Sequence, residues 1–286
     1  MAIRNVMTVD VEDYFQVSAF ERYVSRRDWD GIQPRVVDNV ERILNLFAEA
    51  EVKATFFTLG WVAERFPALV RKISDEGHEI ASHGWSHVRV TQQTAAEFRD
   101  DVSRTKALLE DVTGQIVQGY RAASYSIGAD NLWALDVLQE TGHQYSSSIF
   151  PIHHDLYGMP DAPRFAFEPN GGDLVEFPVT TVRLAGRNLP FSGGGWFRLL
   201  PYSVSCWAMR RVNNNDRQPA IFYFHPWEID PGQPRRGGLD AKTRFRHYLN
   251  LGRMERRLQN LLGDFGWGRM DDVLFKPYRA AHGAAG

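Results

Sequence analysis

The hydrophobic pattern of the first 150 residues switches between two periods. Ile3 to Val11 reads as a strand. Val36, Val37, Val40, Ile43, Leu44 and Phe47 then recur at helical spacing, and Ala54 to Leu59 follows as a short aromatic and β-branched run, which completes one β/α/β unit. Pro67 opens a second helix that turns Leu69, Val70 and Ile73 inward; Gly77 marks its end, and His78 to Ser82 returns as a strand. Ala95 to Val112 reads as a helix with a strongly polar face, stopping near Gly114. Strand Ile116 to Tyr120, helix Leu132 to Glu140 and a strand around Tyr145 to Ile149 come next. Strands alternating with amphipathic helices predict a parallel β/α architecture, a barrel or an open sheet.

From Phe150 to Gly195 the texture changes to Pro, Gly and Asp with short β-like runs such as Leu174 to Val179, so long substrate loops are expected there. Pro201 to Val212 reads as a helix, Ala220 to Phe224 as an apolar strand, and Ala241 to Leu262 as one long helix studded with Lys and Arg. No linker or internal repeat divides the chain. The small tail Ala280 to Gly286 is expected to be disordered.

Composition narrows the class. The 286 residues are 43% hydrophobic and 24% charged, which excludes a disordered or fibrous chain. A chain this long buries roughly 75% of its unfolded surface and needs no disulfide to hold a core. A net charge of -2 gives no general pull toward nucleic acid or an anionic membrane, a local patch aside, and no nucleic-acid partner is expected. Cys206 is the only cysteine, so no intrachain disulfide forms, and a reduced cytosol suits the chain. No signal-peptide core follows Met1, and no run of about 18 apolar residues occurs, so no transmembrane segment and a cytoplasmic location are expected.

Four clusters carry candidate chemistry, each just after a predicted strand. His83 and His87, in Ser82-His83-Gly84-Trp85-Ser86-His87, are four apart, and on a helical turn both imidazoles reach one metal ion. Asp10-Val11-Glu12-Asp13 ends the first strand. In parallel β/α folds ligands gather at the carboxyl ends of strands, so these acids and the histidines would converge on a His₂-carboxylate site with an open position for water. Arg121, in Gly119-Tyr120-Arg121-Ala122-Ala123-Ser124-Tyr125-Ser126, can hold a carboxylate, and the loop after it can aim N–H groups at an oxyanion. His225, in Phe222-Tyr223-Phe224-His225-Pro226-Trp227-Glu228, stands where burial and a carboxylate neighbour can tune it for acid catalysis. Each cluster alone also has a plain structural reading: packed histidines, a helix-capping acid, a surface arginine.

Taken in order, the four clusters resemble those of the NodB-homology polysaccharide deacetylases, the family-four carbohydrate esterases. The matching pieces are Thr55-Phe56-Phe57, Glu76-Gly77-His78-Glu79-Ile80-Ala81-Ser82-His83 running on to His87, Arg121 with its loop, and His225. More narrowly, VDVEDYF at Val9 to Phe15, GGGWFRLLPY at Gly193 to Tyr202, FHPWEID at Phe224 to Asp230 and RFRHYLNL at Arg244 to Leu251 resemble the deacetylases of exosortase-linked exopolysaccharide loci. The resemblance implies a deformed (β/α)₇ barrel over residues 1–286 as a single domain, with 190–280 including a subgroup-specific C-terminal extension. It also implies a divalent metal, zinc above all, and removal of acetyl from an N-acetylated amino sugar in an exopolysaccharide or its lipid-linked precursor.

Residue by residue, the resemblance makes His83 and His87 metal ligands, Arg121 the residue that orients the catalytic aspartate, and His225 the general acid. The first motif departs from the family's T-F-D-D-G. Two registers are open: Asp10 as base with Glu12 as ligand, which strand alternation favours, or Glu12 as base with Asp13 as ligand. The Arg-x-Pro-Tyr loop is altered as well. Trp85, Tyr125, Trp196 and Trp227 are candidates to stack on pyranose faces. Lys242, Arg244, Arg246, Arg253, Arg256 and Arg257 are candidates to contact a phosphate of a lipid-linked substrate or to form a solvated helix face. Two rival readings stand beside the deacetylase: a metal-independent cyclic-amide hydrolase, allantoinase-like, and a catalytically silent carbohydrate-binding protein.

Overall fold

The computed structural model describes residues 3–154 and 158–282. Residues 283–286 of the small-residue tail lie outside them, whereas Ala280 to His282, expected to be disordered, are the end of a helix. Strand β1 (Arg4–Val11) comes first and is followed by helix α1 (Val36–Glu49), strand β2 (Thr55–Thr58), helices α2 (Gly60–Arg65) and α3 (Pro67–Asp75), and strand β3 (Glu79–Ser82). Helix α4 (Ala95–Thr113), strand β4 (Gly119–Tyr120), helix α5 (Trp133–Glu140) and strand β5 (Tyr145–Ser146) continue the alternation.

The second half supplies strand β6 (Val175–Glu176), an antiparallel hairpin of β7 (Thr181–Leu184) and β8 (Arg187–Pro190), helices α6 (Gly194–Leu199) and α7 (Tyr202–Arg211), and strand β9 (Ile221–Phe224). Helices α8 (Ala241–Tyr248) and α9 (Leu251–Asp264), strand β10 (Gly266–Gly268) and helix α10 (Lys276–His282) close the chain. Seven parallel strands run in the order β9-β1-β2-β3-β4-β5-β6, with no ladder between β6 and β9 among the described residues. The architecture is a parallel α/β half-barrel. β10 pairs with Arg4, Asn5 and Val6 at the start of β1, while β2 takes Thr8 to Val11.

Local chemistry explains the helix ends. The Thr94 hydroxyl accepts from the Glu97 N–H and the Glu97 carboxylate accepts from the Thr94 N–H, a reciprocal cap that starts α4, and Gly114 in a left-handed turn ends it. The helices are held by their apolar faces. Val36, Val40, Ile43, Leu44 and Phe47 of α1 are buried against the sheet, each contributing about 1.5–3 kcal/mol. No helix among the described residues is long and apolar enough to cross a membrane.

Two features depart from the sequence pattern. The expected long helix Ala241 to Leu262 is two helices, because Asn250 takes a left-handed conformation (φ 52°) and donates its side-chain amide to the Arg198 carbonyl at 2.8 Å. Asparagine tolerates that region better than most residues, so the break costs little. The β7–β8 hairpin and β10 also lie where the pattern gives no strand. β10 is only three residues long and is stabilised by pairing with β1, a contact across more than 250 residues of sequence.

Candidate active site

The carboxyl ends of β1, β3, β4 and β9 meet at one cavity of about 490 Å³, lined by Asp10, Glu12, His83, His87, Tyr125 and His225 among others. Alternation along β1 and just past its end puts Thr8, Asp10 and Glu12 on one side. Arg121, at the exit of β4, is fully buried and reads that side: Nη1 donates to Thr8 Oγ1 at 2.8 Å and to Asp10 Oδ1 at 2.6 Å. Its Nε and Nη2 donate to the Ser147 carbonyl and hydroxyl, both at 3.2 Å, and its guanidinium lies 4.0 Å from the centre of the Phe57 ring. All three guanidinium nitrogens donate, so the group is held in place and Asp10 Oδ1 with it. Oδ2 lies 3.9 Å from His225 Nε2.

Glu12, His83 and His87 each offer one ligand atom within 4.8 Å of the other two, and all three are buried. His83 Nδ1–H donates to the Arg121 carbonyl at 2.8 Å, which leaves Nε2 as the lone-pair nitrogen. Burial holds His83 below the usual histidine range and His87 well below it, with His83 adding to the effect on His87, so both imidazoles are neutral. Glu12 Oε2 is buried without a hydrogen-bond donor, 3.0 Å from His87 Nε2, and burial pushes the carboxyl up to about 7. Two neutral imidazoles and an underpartnered carboxylate are the donor set a divalent cation takes, so the residues fit a metal.

The two histidines do not sit on a helical turn, as their spacing suggests. His83 leaves β3, Gly84 turns at φ 73°, and His87 reaches back from a left-handed position at φ 53°; the rings end 5.3 Å apart. Asp13, a candidate ligand in the sequence, does not join the group. Its Oδ2 accepts the Arg35 and Val36 N–H groups at 2.6 and 2.9 Å, and Oδ1 accepts the Tyr14 N–H at 2.8 Å. The open N–H groups at the start of α1 capture this carboxylate, and alternation along the chain turns it away from Glu12. Burial raises its carboxyl to about 6, against those three hydrogen bonds.

On the other side of the cavity His225 leaves β9. Its Nδ1 pairs with Glu228 Oε2 at 3.0 Å and its Nε2 faces Glu12 Oε1 at 3.5 Å. Burial pulls the imidazole down, but Glu12, Glu228 and Asp10 outweigh it and raise it to about 9. Glu228 is buried against Arg198, whose Nε donates to Oε1 at 2.8 Å; burial is again opposed, by Arg198 and His225, and the carboxyl falls to about 2. A side chain at Gly194 would place its Cβ 1.9 Å from Glu228 Oε2, so the start of α6 needs glycine there. Arg198 and Glu228 are absent from the sequence-level candidates. Glu228 was legible as the residue three after His225, whereas nothing in the sequence joins Arg198 to it.

The aromatic candidates divide. Tyr125, Trp196 and Trp227 line the cavity. Trp227 is buried, stacks on His225 and His247, and donates Nε1–H to Glu12 Oε1 at 3.3 Å, so it orients the acid rather than offering a face. Trp85 does not line the cavity and instead carries the Arg104 guanidinium 3.3 Å from its ring centre. The basic candidates divide too. Lys242 and Arg246 stand at the cavity mouth, while Arg257 caps the carbonyls of Phe197, Arg198 and Leu200.

A half-barrel with acid, histidine and arginine clusters at its strand ends has the fold of the polysaccharide deacetylases. A polysaccharide deacetylase of Mycobacterium smegmatis aligns with a TM-score of 0.62 at 21% identity, covering 97% of this chain and 91% of that one. One of Pseudomonas aeruginosa PAO1 also gives 0.62, at 16% identity over 98% and 92%, and Puue allantoinase gives 0.61 at 16% over 98% and 91%. At these identities the likeness is one of fold.

The sequence carries the homology further. Residues 29–146 match the family described as polysaccharide deacetylase, and residues 147–275 match a domain of unknown function, DUF3473. The peptidoglycan-N-acetylglucosamine deacetylase of Bacillus cereus is 38% identical over 73 residues, 26% of each protein. The peptidoglycan deacetylase of Helicobacter pylori is 31% identical over 117 residues, 41% of this chain and 38% of that protein. The chain thus spans well under half the length of these relatives. The chitooligosaccharide deacetylase of Rhizobium leguminosarum bv. trifolii is 29% identical over 142 residues, half of this chain and 60% of that one. His83, His87 and Arg121 fall in the deacetylase segment; His225, Glu228 and Arg198 fall in the domain of unknown function, whose β9 and β10 pair with β1 in the same sheet.

Proposed function

We propose that this protein is a metal-dependent N-deacetylase of an acetylated amino sugar, and that residues 1–286 work as one catalytic domain. The observation that carries the reading is the meeting of the Glu12, His83 and His87 group with the Asp10–Arg121 and His225–Glu228 pairs in a single cavity. The deacetylase relatives support the reaction class. Glu12, His83 and His87 would hold the metal, with zinc favoured by the two imidazoles and one carboxylate; when bound it supplies Lewis acidity and an acidified water.

The chain's own residues do the rest. Asp10, with Oδ1 tied to Arg121, presents Oδ2 to take the proton from the attacking water. Water adds to the acetyl carbon, the amide C–N bond breaks, and His225 gives its Nε2 proton to the departing sugar amine while Glu228 holds Nδ1. Acetate and a free amino sugar result. Trp196, half-buried in the cavity lining, would pack on the sugar, and Lys242 and Arg246 at the mouth would suit a phosphate, in keeping with an exopolysaccharide precursor on a lipid carrier.

Elemental analysis of the purified protein beside His83→Ala, followed by acetate release from N-acetylglucosamine oligomers, tests the reading. About one divalent ion in the parent, none in the variant, and acetate release only from the metal-loaded parent are expected. A metal-free parent after zinc is supplied would overturn it and favour a metal-independent cyclic-amide hydrolase.

A further inference from the structure

Charge is unevenly spread along this chain. Residues 183–246 contain eleven Lys and Arg against four Asp and Glu, leaving twenty-two against thirty-one for the remainder, although the whole is nearly neutral. Of the seven large apolar side chains exposed among the described residues, six lie in the same stretch: Leu184, Leu189, Leu199, Val204, Trp207 and Phe245. The seventh is Ile116.

The fold joins these residues. Leu199 and Phe245 stand at the mouth of the catalytic cavity with Lys242 and Arg246. Leu199 ends α6, and three residues later α7 begins, with Val204 and Trp207 three apart on one helix face. Arg211, one turn beyond Trp207, lies with its guanidinium 5.9 Å from that ring and donates to the Arg183 carbonyl of β7, which brings the hairpin with Leu184, Leu189, Arg183 and Arg187 alongside. The four carboxylates of the stretch are engaged elsewhere: Glu228 with Arg198, Asp230 with Arg35, Asp216 with Arg164, and Asp240 with the first turn of α8 and Tyr23. The neighbouring Asp264 accepts from the Tyr202 hydroxyl.

We propose that this face docks on an anionic lipid bilayer, with the cavity mouth turned to the membrane surface. The apolar groups are single tips set between cations, not a continuous cleft. Such tips partition one by one into the headgroup region, with Trp and Phe suited to that boundary, while Arg and Lys are drawn to the negative surface potential. A folded acidic partner would instead call for a contiguous complementary patch.

Vesicle co-sedimentation of the full chain tests this without any sugar, so its result is independent of the deacetylase reading. The protein is expected to sediment with phosphatidylcholine vesicles containing phosphatidylglycerol, to stay free with phosphatidylcholine alone, and to be released by high salt. Trp207→Ala combined with Arg211→Glu is expected to weaken the partition by roughly tenfold, while Ile116→Ser leaves it unchanged. Trp207 and Arg211 lie outside the cavity lining, so circular dichroism and acetate release from soluble oligomers should match the parent. No association with anionic vesicles, equal association with neutral ones, or full association of the double variant overturns the proposal. So does equal sedimentation of the parent and the single variant Trp207→Ala with anionic vesicles, which would mean attraction by charge alone.

Discussion

His225 holds its two nitrogens apart by function: Nδ1 is tied to Glu228 and Nε2 faces the acids of the cavity. Because it contributes no atom to the Glu12, His83 and His87 group, His225→Ala should retain its metal and lose a factor on the order of 10²–10⁴ in kcat. Elemental analysis and steady-state rates check both halves, and loss of metal would contradict the assignment. Glu228→Gln is the milder change. It keeps a hydrogen-bond acceptor at Nδ1 but removes the charge, and it leaves the buried Arg198 without its carboxylate, so a thermal melt must accompany the rate.

At the scale of the element, neighbouring acids of one short motif serve different structures. Glu12 points into the cavity, whereas Asp13 takes the first N–H groups of α1. Asp13→Ala is therefore expected to destabilise the fold by about 1–2 kcal/mol, the worth of a helix cap, without changing the metal stoichiometry. Chemical denaturation and elemental analysis separate the two effects. A stable, metal-free Asp13→Ala would restore the other register of the motif. The same economy appears at Asn250, whose left-handed backbone splits α8 from α9 while its side-chain amide pins the carbonyl of Arg198, the residue that holds Glu228.

For the whole molecule, buried titratable groups set opposing pH dependences. Burial, aided by Lys53 and Arg269, lowers His78 from 6.5 to about 4, so the fold keeps it neutral while the unfolded chain protonates it. Its stabilising share is present above pH 6.5 and is lost as pH falls toward 4. The displacement corresponds to roughly 3 kcal/mol. Asp13 and Glu79 act in reverse: burial raises them to about 6 and about 7, so their share is greatest at low pH and is lost as pH rises through those values. Comparison with His78→Gln, which keeps an acceptor for the Ala54 N–H, isolates the histidine. Parent stability relative to that variant should fall between pH 7 and 4 in denaturant titrations, and a constant difference would refute the assignment.

The alternation of β-like and helical periods established the parallel α/β class, and the order of strand-end clusters located Asp10, Glu12, His83, Arg121 and His225, because side-chain direction in a strand follows directly from sequence position. The long-range arrangement could not be read that way. A two-residue β4, a three-residue β10 and the β7–β8 hairpin depend on partners far along the chain, so their local pattern is weak. The route of His87 back to His83 is set by left-handed turns that spacing does not encode. Likewise a net charge of -2 concealed a cationic stretch, and only folding gathered its arginines and exposed apolar tips beside the cavity mouth. Sequence thus determined which residues could do chemistry, through local period and composition. Tertiary structure decided which of them meet: it sent Asp13 to a helix end, joined Arg198 to Glu228, and brought groups from β1, β3, β4 and β9 to one cavity, since backbone pairing and burial act between residues the chain itself keeps far apart.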